Sequence, residues 1–152
     1  MRSNQSVFNT VVARQIAQGE PALDMEYGTQ CKYLTTYGKQ CAAGCLIPLV
    51  LIDSEDKDLF LESEEDISCI LLGDGPEYDP EYDPDTKMRR YFNKVGISKD
   101  NASLIRALQK IHDGDTTKDW LNQCKNRWVA LASKFDLELP TVLKEWKERK
   151  VI

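Results

Sequence analysis

The segment Cys31-Lys-Tyr-Leu-Thr-Thr-Tyr-Gly-Lys-Gln-Cys-Ala-Ala-Gly-Cys-Leu-Ile-Pro48 holds three of the five cysteines of the chain. It also opens the most apolar run in the sequence, which extends over residues 41–52. A run of about 12 residues is too short to cross a bilayer and has the length of a buried core segment. We therefore expect the rest of the chain to pack on this run.

The first part of the segment predicts a small β-hairpin. Residues 30–34 and 39–42 flank a Thr-Thr-Tyr-Gly turn, in which Gly38 can adopt a positive φ. A loop of three residues would place Cys31 directly opposite Cys41, whereas a loop of four would not. Residues 46–52 then form a short buried strand or the start of a helix, and periodicity does not distinguish the two in so short a run.

Elsewhere the apolar residues recur at helical spacing. The expected helices cover residues 5–18, 63–72, 86–95, 98–112, 116–135 and a last stretch that starts at Pro140. The three tryptophans fall on the apolar stripes of these helices, which indicates core positions. The sequence therefore predicts a single, mainly helical domain over residues 1–152, with about six helices and one small β-hairpin. An α+β arrangement is the alternative.

Residues 73–85 predict an exposed, extended loop, because they contain three prolines, two glycines and no aliphatic side chain. Within the loop, Glu-Tyr-Asp-Pro occurs twice in tandem. Tyrosine suits binding surfaces, the acids attract a basic partner, and the prolines reduce the disorder lost on docking. The predicted partner-binding residues are Glu77, Tyr78, Asp79, Glu81, Tyr82 and Asp83. A plain solvated loop is the alternative.

Charge is distributed unevenly along the chain. The net charge is −5, but residues 53–85 carry −13 and residues 86–152 carry +7. Either the two parts are solvated or packed together, or one of them steers a partner of opposite sign. The basic part contains no recognised nucleic-acid-binding motif, so direct binding of nucleic acid is not expected.

The sequence contains no signal-peptide pattern and no apolar run of about 18 residues, so neither secretion nor a membrane span is expected. We expect a cytoplasmic protein. An odd number of cysteines in a reducing compartment is typical of thiols or metal ligands rather than disulfides.

Two chemical alternatives involve the cysteines. Cys31, Cys41 and Cys45 could bind zinc with His112 or Cys69 as the fourth ligand, although their separations of ten and four residues are not those of a zinc hairpin. Cys41 or Cys45 could instead be a nucleophile, with His112, the only histidine, as base and Asp113 orienting its ring. Buried thiols that behave as small hydrophobic groups are the simpler interpretation of these cysteines.

Two motifs resemble a family of small uncharacterised proteins from bacteriophages and bacteria. The first is Cys31-x-Tyr33 followed by Gly38-x-x-Cys-Ala-x-Gly-Cys-Leu-Ile-Pro48. The second is Leu108-Gln-x-Ile-His-Asp113, followed by Trp120 and by Leu-Ala at 131–132. The chain departs from the family in the Leu-Val-Leu-Ile that follows Pro48 and in its long acidic insert. The resemblance implies a phage-type origin and brings no catalytic residue with it.

Together these features predict a non-enzymatic protein that binds and modulates a host protein, with inhibition as the expected effect. The acidic residues 53–85 would mimic or block a nucleic-acid-binding surface of that partner. The expected partner has a basic surface. We assign no catalytic residue, no metal ligand and no cofactor. The alternatives are a small zinc-stabilised module and, third, a thiol-dependent enzyme.

Overall fold

The computed structural model describes residues 2–23, 33–35, 38–63, 67–72, 84–114 and 119–150. These residues are mainly helical, as predicted. The α-helices are α1 (Asn4–Gln18), α2 (Lys57–Glu62), α3 (Ile67–Leu72), α4 (Pro84–Lys94), α5 (Ala102–Gly114), α6 (Trp120–Lys134) and α7 (Thr141–Lys150). Four short 3₁₀ helices cover Gly44–Leu46, Leu49–Leu51, Ser54–Asp56 and Lys99–Asn101.

Helix α1 forms where the sequence predicts it. The Ser3 side chain caps its start by accepting a hydrogen bond from the Ser6 N–H, and Gly19 ends it with φ +76°. The apolar stripe of Val7, Phe8, Val11 and Val12 is buried.

The predicted β-hairpin is wrong, although Thr35, Gly38 and Lys39 make backbone hydrogen bonds with one another at the predicted turn. Gly38 has φ +83°, its N–H donates to Thr35 O, and the Thr35 N–H donates to Lys39 O at 2.8 Å. Among the described residues on either side, no strand forms, and the chain enters the 3₁₀ helix Gly44–Leu46 instead. Cys31 lies outside the described residues, so its predicted position opposite Cys41 is untested.

Side chains of α1 take the place of a strand partner. The Gln18 amide oxygen accepts the Gln40 N–H at 2.8 Å, and its amide nitrogen donates to Gln40 O at 3.0 Å. Gln15 donates to the same carbonyl at 3.1 Å. Since both main-chain polar groups of Gln40 are satisfied in this way, no β-ladder is needed to bury them.

The apolar run of residues 41–52 is only partly buried, which corrects the expectation of a continuous core segment. Residues 41–47 and Ile52 are buried, but the 3₁₀ helix Leu49–Leu51 faces solvent. Neither the predicted strand nor an α-helix forms over residues 46–52, because the end of one 3₁₀ helix and the whole of the next, separated by Ile47 and Pro48, occupy this part of the chain.

The middle of the chain contains a helix that the sequence did not reveal. Helix α2 has only six residues and one buried side chain, Phe60, so it shows no helical stripe. Helix α3 buries Ile67, Ile70 and Leu71, as predicted. The predicted loop ends earlier than expected, because Pro84 is the first residue of α4, a position that proline favours. Residues 73–83 lie outside the described residues.

Helix α5 contacts α1, α3 and α6, and α7 packs against α6. Ser98 and Asn101 form a capping box at the start of the 3₁₀ helix that leads into α5. Trp120 and Trp128 are buried, as predicted, but Trp146 is only half-buried. Residues 116–118, at the start of the helix predicted over 116–135, lie outside the described residues. No helix in the described part of the chain is long and apolar enough to span a membrane.

Candidate functional site

Cys41 and Cys45 lie one turn apart at the start of the 3₁₀ helix Gly44–Leu46, and both are buried. The Cys41 sulfur accepts a hydrogen bond from the Gly44 N–H at 3.3 Å, and the Cys45 thiol donates to Ala42 O at 3.1 Å. Arg14 of α1 donates to Cys45 O. The segment that carries the thiols is therefore tied to α1 and to its own backbone.

Burial keeps these two thiols protonated. It raises the pKa of Cys41 far above that of a free thiol, and it raises the pKa of Cys45 to about 11. A reactive cysteine needs the opposite, a partly exposed group with a lowered pKa. The environment of both side chains is that of small buried hydrophobic groups.

His112, at the end of α5, uses both ring nitrogens within the protein. Its Nε2 accepts the Ala22 N–H at 3.0 Å, so the proton lies on Nδ1, which is 2.8 Å from Asp113 Oδ1. The ring packs edge-on against Trp120, whose indole N–H donates to His112 O at 2.9 Å. Asp113 orients the ring as the sequence suggested, but the Nε2 lone pair is occupied by a backbone donor.

The described residues do not bring together the ligands that the zinc alternative requires. A group of at least three Cys, His, Asp or Glu side chains could hold a metal ion if their ligand atoms lay within 4.8 Å of one another. The only such group among the described residues is Asp53, Glu55 and Asp56. Cys41, Cys45 and His112 therefore do not form a metal-binding group with one another. Cys31 and the Cys69 side chain lie outside the described part of the chain.

The predicted partner-binding residues Glu77, Tyr78, Asp79, Glu81, Tyr82 and Asp83 also lie outside the described residues. The structure describes the first part of the acidic segment, residues 53–63. Tyr91 of α4 holds this part in place, because its hydroxyl donates to Asp56 at 2.5 Å and accepts the Asp53 N–H at 3.2 Å. Burial and the hydrogen bond to Asp56 raise the pKa of Tyr91 to about 12.

The acids of this first part are not neutralised by ion pairs. Asp53, Glu55, Asp58 and Glu62 are exposed, and none of them pairs with a lysine or arginine within the described ranges. The charge imbalance seen in the sequence is therefore carried to the surface here.

An exposed apolar group precedes these acids, and the sequence analysis missed it. Leu49, Val50 and Leu51, which we call the apolar ridge, are 39%, 91% and 52% exposed. The proline before three large aliphatic residues was a signal, because proline breaks the regular structure that would have buried them. Length and hydropathy alone indicated core.

A second surface feature lies between α6 and α7. Asp119, Asn122, Lys125, Asn126, Trp146 and Arg149 line an open, mainly polar cleft of about 540 Å³. This cleft explains why Trp146, which was expected in the core, is only half-buried.

Comparison with protein-family models, with curated proteins and with solved structures finds no significant match for this chain.

Proposed function

We propose that the protein is a non-enzymatic binding protein that inhibits a host protein in the host cytoplasm by means of its acidic segment, residues 53–85. The observation that carries this proposal is that Asp53, Glu55, Asp58 and Glu62 are exposed and form no ion pair with another described residue, on a backbone that Tyr91 holds in place. Exposed acids of one sign attract a basic partner and accelerate its association. A protein surface that normally binds nucleic acid is such a partner.

The buried groups support the non-enzymatic part of the proposal. Cys41 and Cys45 are buried with raised pKa values, and the His112 lone pair is taken by Ala22. None of these three side chains is presented to a substrate. The exposed charged groups are therefore the better candidates for function. The bacteriophage resemblance is the reason for proposing a host protein as the target.

The test is affinity capture from a bacterial lysate with the wild-type protein and an amide variant, Asp53→Asn, Glu55→Gln and Glu62→Gln. This variant keeps Asp56, which binds Tyr91, and Asp58, which lies in the first turn of α2. The matched control removes the same number of charges from the C-terminal part, by Asp136→Asn, Glu145→Gln and Glu148→Gln. We expect the amide variant to lose a partner that both the wild type and the control retain. Equal retention by all three contradicts the proposal.

The tyrosines of the acidic loop are tested separately. We expect Tyr78→Ala with Tyr82→Ala to weaken binding of the captured partner by about 2 kcal/mol or more in total, because tyrosines that become buried in a protein–protein interface are common binding hot spots. An unchanged affinity, measured by calorimetry, removes the loop from the proposed site.

A further inference from the structure

The exposure of the apolar ridge is built into the backbone on both sides of it. Ile47 and Ile52 are buried and anchor the two ends of the turn in the core. Between them, the Leu51 N–H donates to Pro48 O at 2.9 Å and the Ile52 N–H donates to Leu49 O at 3.2 Å. A 3₁₀ helix has three residues per turn, so its successive side chains point in different directions. With both anchors directed inward, Val50 is directed outward.

The conformation of the apolar ridge is therefore defined by its backbone hydrogen bonds and by the two buried isoleucines. Val50 is the most exposed side chain of the ridge, and Leu49 and Leu51 on either side of it are partly exposed. The turn at Gly38 borders one side, since a Cβ on Gly38 would lie 3.9 Å from Leu49 Cδ1. A rigid apolar group costs little conformational entropy when it docks, so it suits a binding surface.

Charge indicates what docks there. Asp53 and Glu55 follow Leu51 by two and four residues, and a carboxylate oxygen of one lies within 4.8 Å of a carboxylate oxygen of the other. Both are exposed without an ion pair among the described residues. A partner that covers the ridge comes close to these carboxylates, so basic groups beside its apolar surface are favoured and acidic ones are repelled.

We propose that the apolar ridge docks onto the apolar stripe of a basic amphipathic helix of the partner protein. Val50 enters the hole between four side chains of that helix, as a knob does in helix packing. Lysines or arginines on the flank of the helix then face Asp53 and Glu55. This inference rests on the proposed function and names the site and the partner's chemistry.

A second copy of this chain is a poorer occupant. Two ridges in a symmetric contact bring the acids of both copies together, and like charges disfavour such an interface. Sedimentation of the free protein distinguishes this case. Self-association that Val50→Ser abolishes would overturn the proposal.

The test uses synthetic peptides of about 20 residues, long enough for helix formation. The first contains leucine at helical spacing with lysine elsewhere, the second scrambles that composition, and the third contains lysine and serine only. A fourth has glutamate in place of lysine in the first pattern. Binding is measured by calorimetry. We expect the first peptide to bind at least about tenfold more tightly than the scrambled one and the glutamate peptide not to bind.

Surface variants locate the site. We expect Val50→Ser with Leu51→Ser to lower the affinity for the first peptide at least about tenfold, to the level of the scrambled one. The matched control is Val142→Ser on α7, since Val142 is 38% exposed and lies outside the ridge and the acidic segment. We expect its affinity to match that of the wild type. Circular dichroism of each variant checks that the fold is retained.

The outcomes separate this inference from the proposed function. In one outcome, the lysine–serine peptide binds as tightly as the first peptide, and the Val50→Ser with Leu51→Ser variant binds like the wild type. The acids then bind basic ligands without the ridge, and only this inference fails. If no lysine peptide binds, the inference also fails. The proposed function then depends on the capture experiment, which uses no ridge variant.

Discussion

Gly44 and Tyr33 meet so closely that their contact leaves no space for a side chain. A Cβ on Gly44 would lie 2.1 Å from Tyr33 O and 2.9 Å from its carbonyl carbon, and both are backbone atoms that cannot rotate away. Through this contact, the Cys-Ala-Ala-Gly-Cys segment at residues 41–45 packs against the backbone of Tyr33. The glycine in the Cys-Ala-Ala-Gly-Cys sequence is therefore required by packing.

We expect Gly44→Ala to destabilise the protein by about 3 kcal/mol, because overpacking forces backbone shifts. Gly114→Ala is the control. A Cβ there would meet only the flexible end of Arg127, 2.5 Å away, so we expect a change of at most about 1 kcal/mol. Urea unfolding measures both. Similar losses of stability in the two variants would contradict the backbone clash.

The buried thiols make a second prediction at this scale. We expect iodoacetamide at neutral pH to label Cys41 and Cys45 at least about 100-fold more slowly in the native protein than in urea, because the thiolate is the reactive form and burial raises the pKa of both thiols. Peptide mapping by mass spectrometry identifies each labelled cysteine. Rapid labelling of Cys41 or Cys45 in the native state would instead favour the thiol-enzyme alternative.

The same thiols give the stability a defined dependence on pH. In the unfolded chain their pKa is about 8.5, whereas burial raises the pKa of Cys45 to about 11 in the folded state. The folded state thus binds protons more tightly. We expect the contribution of the Cys45 thiol to the free energy of unfolding to be fully present below about pH 8.5 and to be lost as the pH rises towards 11.

At the scale of elements, glutamine side chains connect α1 to distant segments at both ends. Near the C-terminal end, Gln18 pairs with the N–H and carbonyl of Gln40. Near the N-terminal end, Gln5 pairs in the same way with Glu138, donating to its carbonyl at 2.9 Å and accepting its N–H at 2.8 Å. The two pairings have the same geometry but differ in burial, since the Gln18 pair is partly buried and the Gln5 pair is exposed.

We expect Gln18→Ala to cost about 2 kcal/mol of stability and Gln5→Ala at most about 1 kcal/mol. The first change leaves the partly buried Gln40 N–H without its partner, although Gln15 still donates to Gln40 O. Water satisfies the exposed groups freed by the second change. Chemical unfolding of the two variants gives the comparison. Equal losses would mean that Gln18 does not substitute for a strand partner.

At the scale of the whole molecule, the acidic and basic parts of the sequence need not neutralise each other. We expect the amide variant Asp53→Asn, Glu55→Gln and Glu62→Gln to be about 0.5 to 1 kcal/mol more stable than the wild type at low salt, because it removes repulsion between exposed acids that form no ion pair with another described residue. The difference should disappear at about 1 M salt, where screening is strong. Thermal unfolding at both salt concentrations measures it. A less stable variant at low salt would show that the acids instead face the basic helices.

The sequence by itself determined the helices with a clear apolar stripe. Ser3 and Gly19 mark the ends of α1, and Ile67, Ile70 and Leu71 identify the buried face of α3. Such features depend on neighbours within a few residues, so the local sequence contains the information. It also indicated that Asp113 orients the His112 ring. It did not reveal α2, whose six residues are too few for a periodic pattern.

Only the tertiary structure decided how the segment at residues 31–52 is used. Whether Gln40 joins a ladder depends on Gln18, 22 residues earlier, and whether Leu49 to Leu51 are buried depends on where Ile47 and Ile52 find space in the core. The His112 lone pair is likewise occupied by a residue 90 positions away. These outcomes arise from contacts between distant parts of the chain, and a local pattern of apolar and polar residues does not encode them.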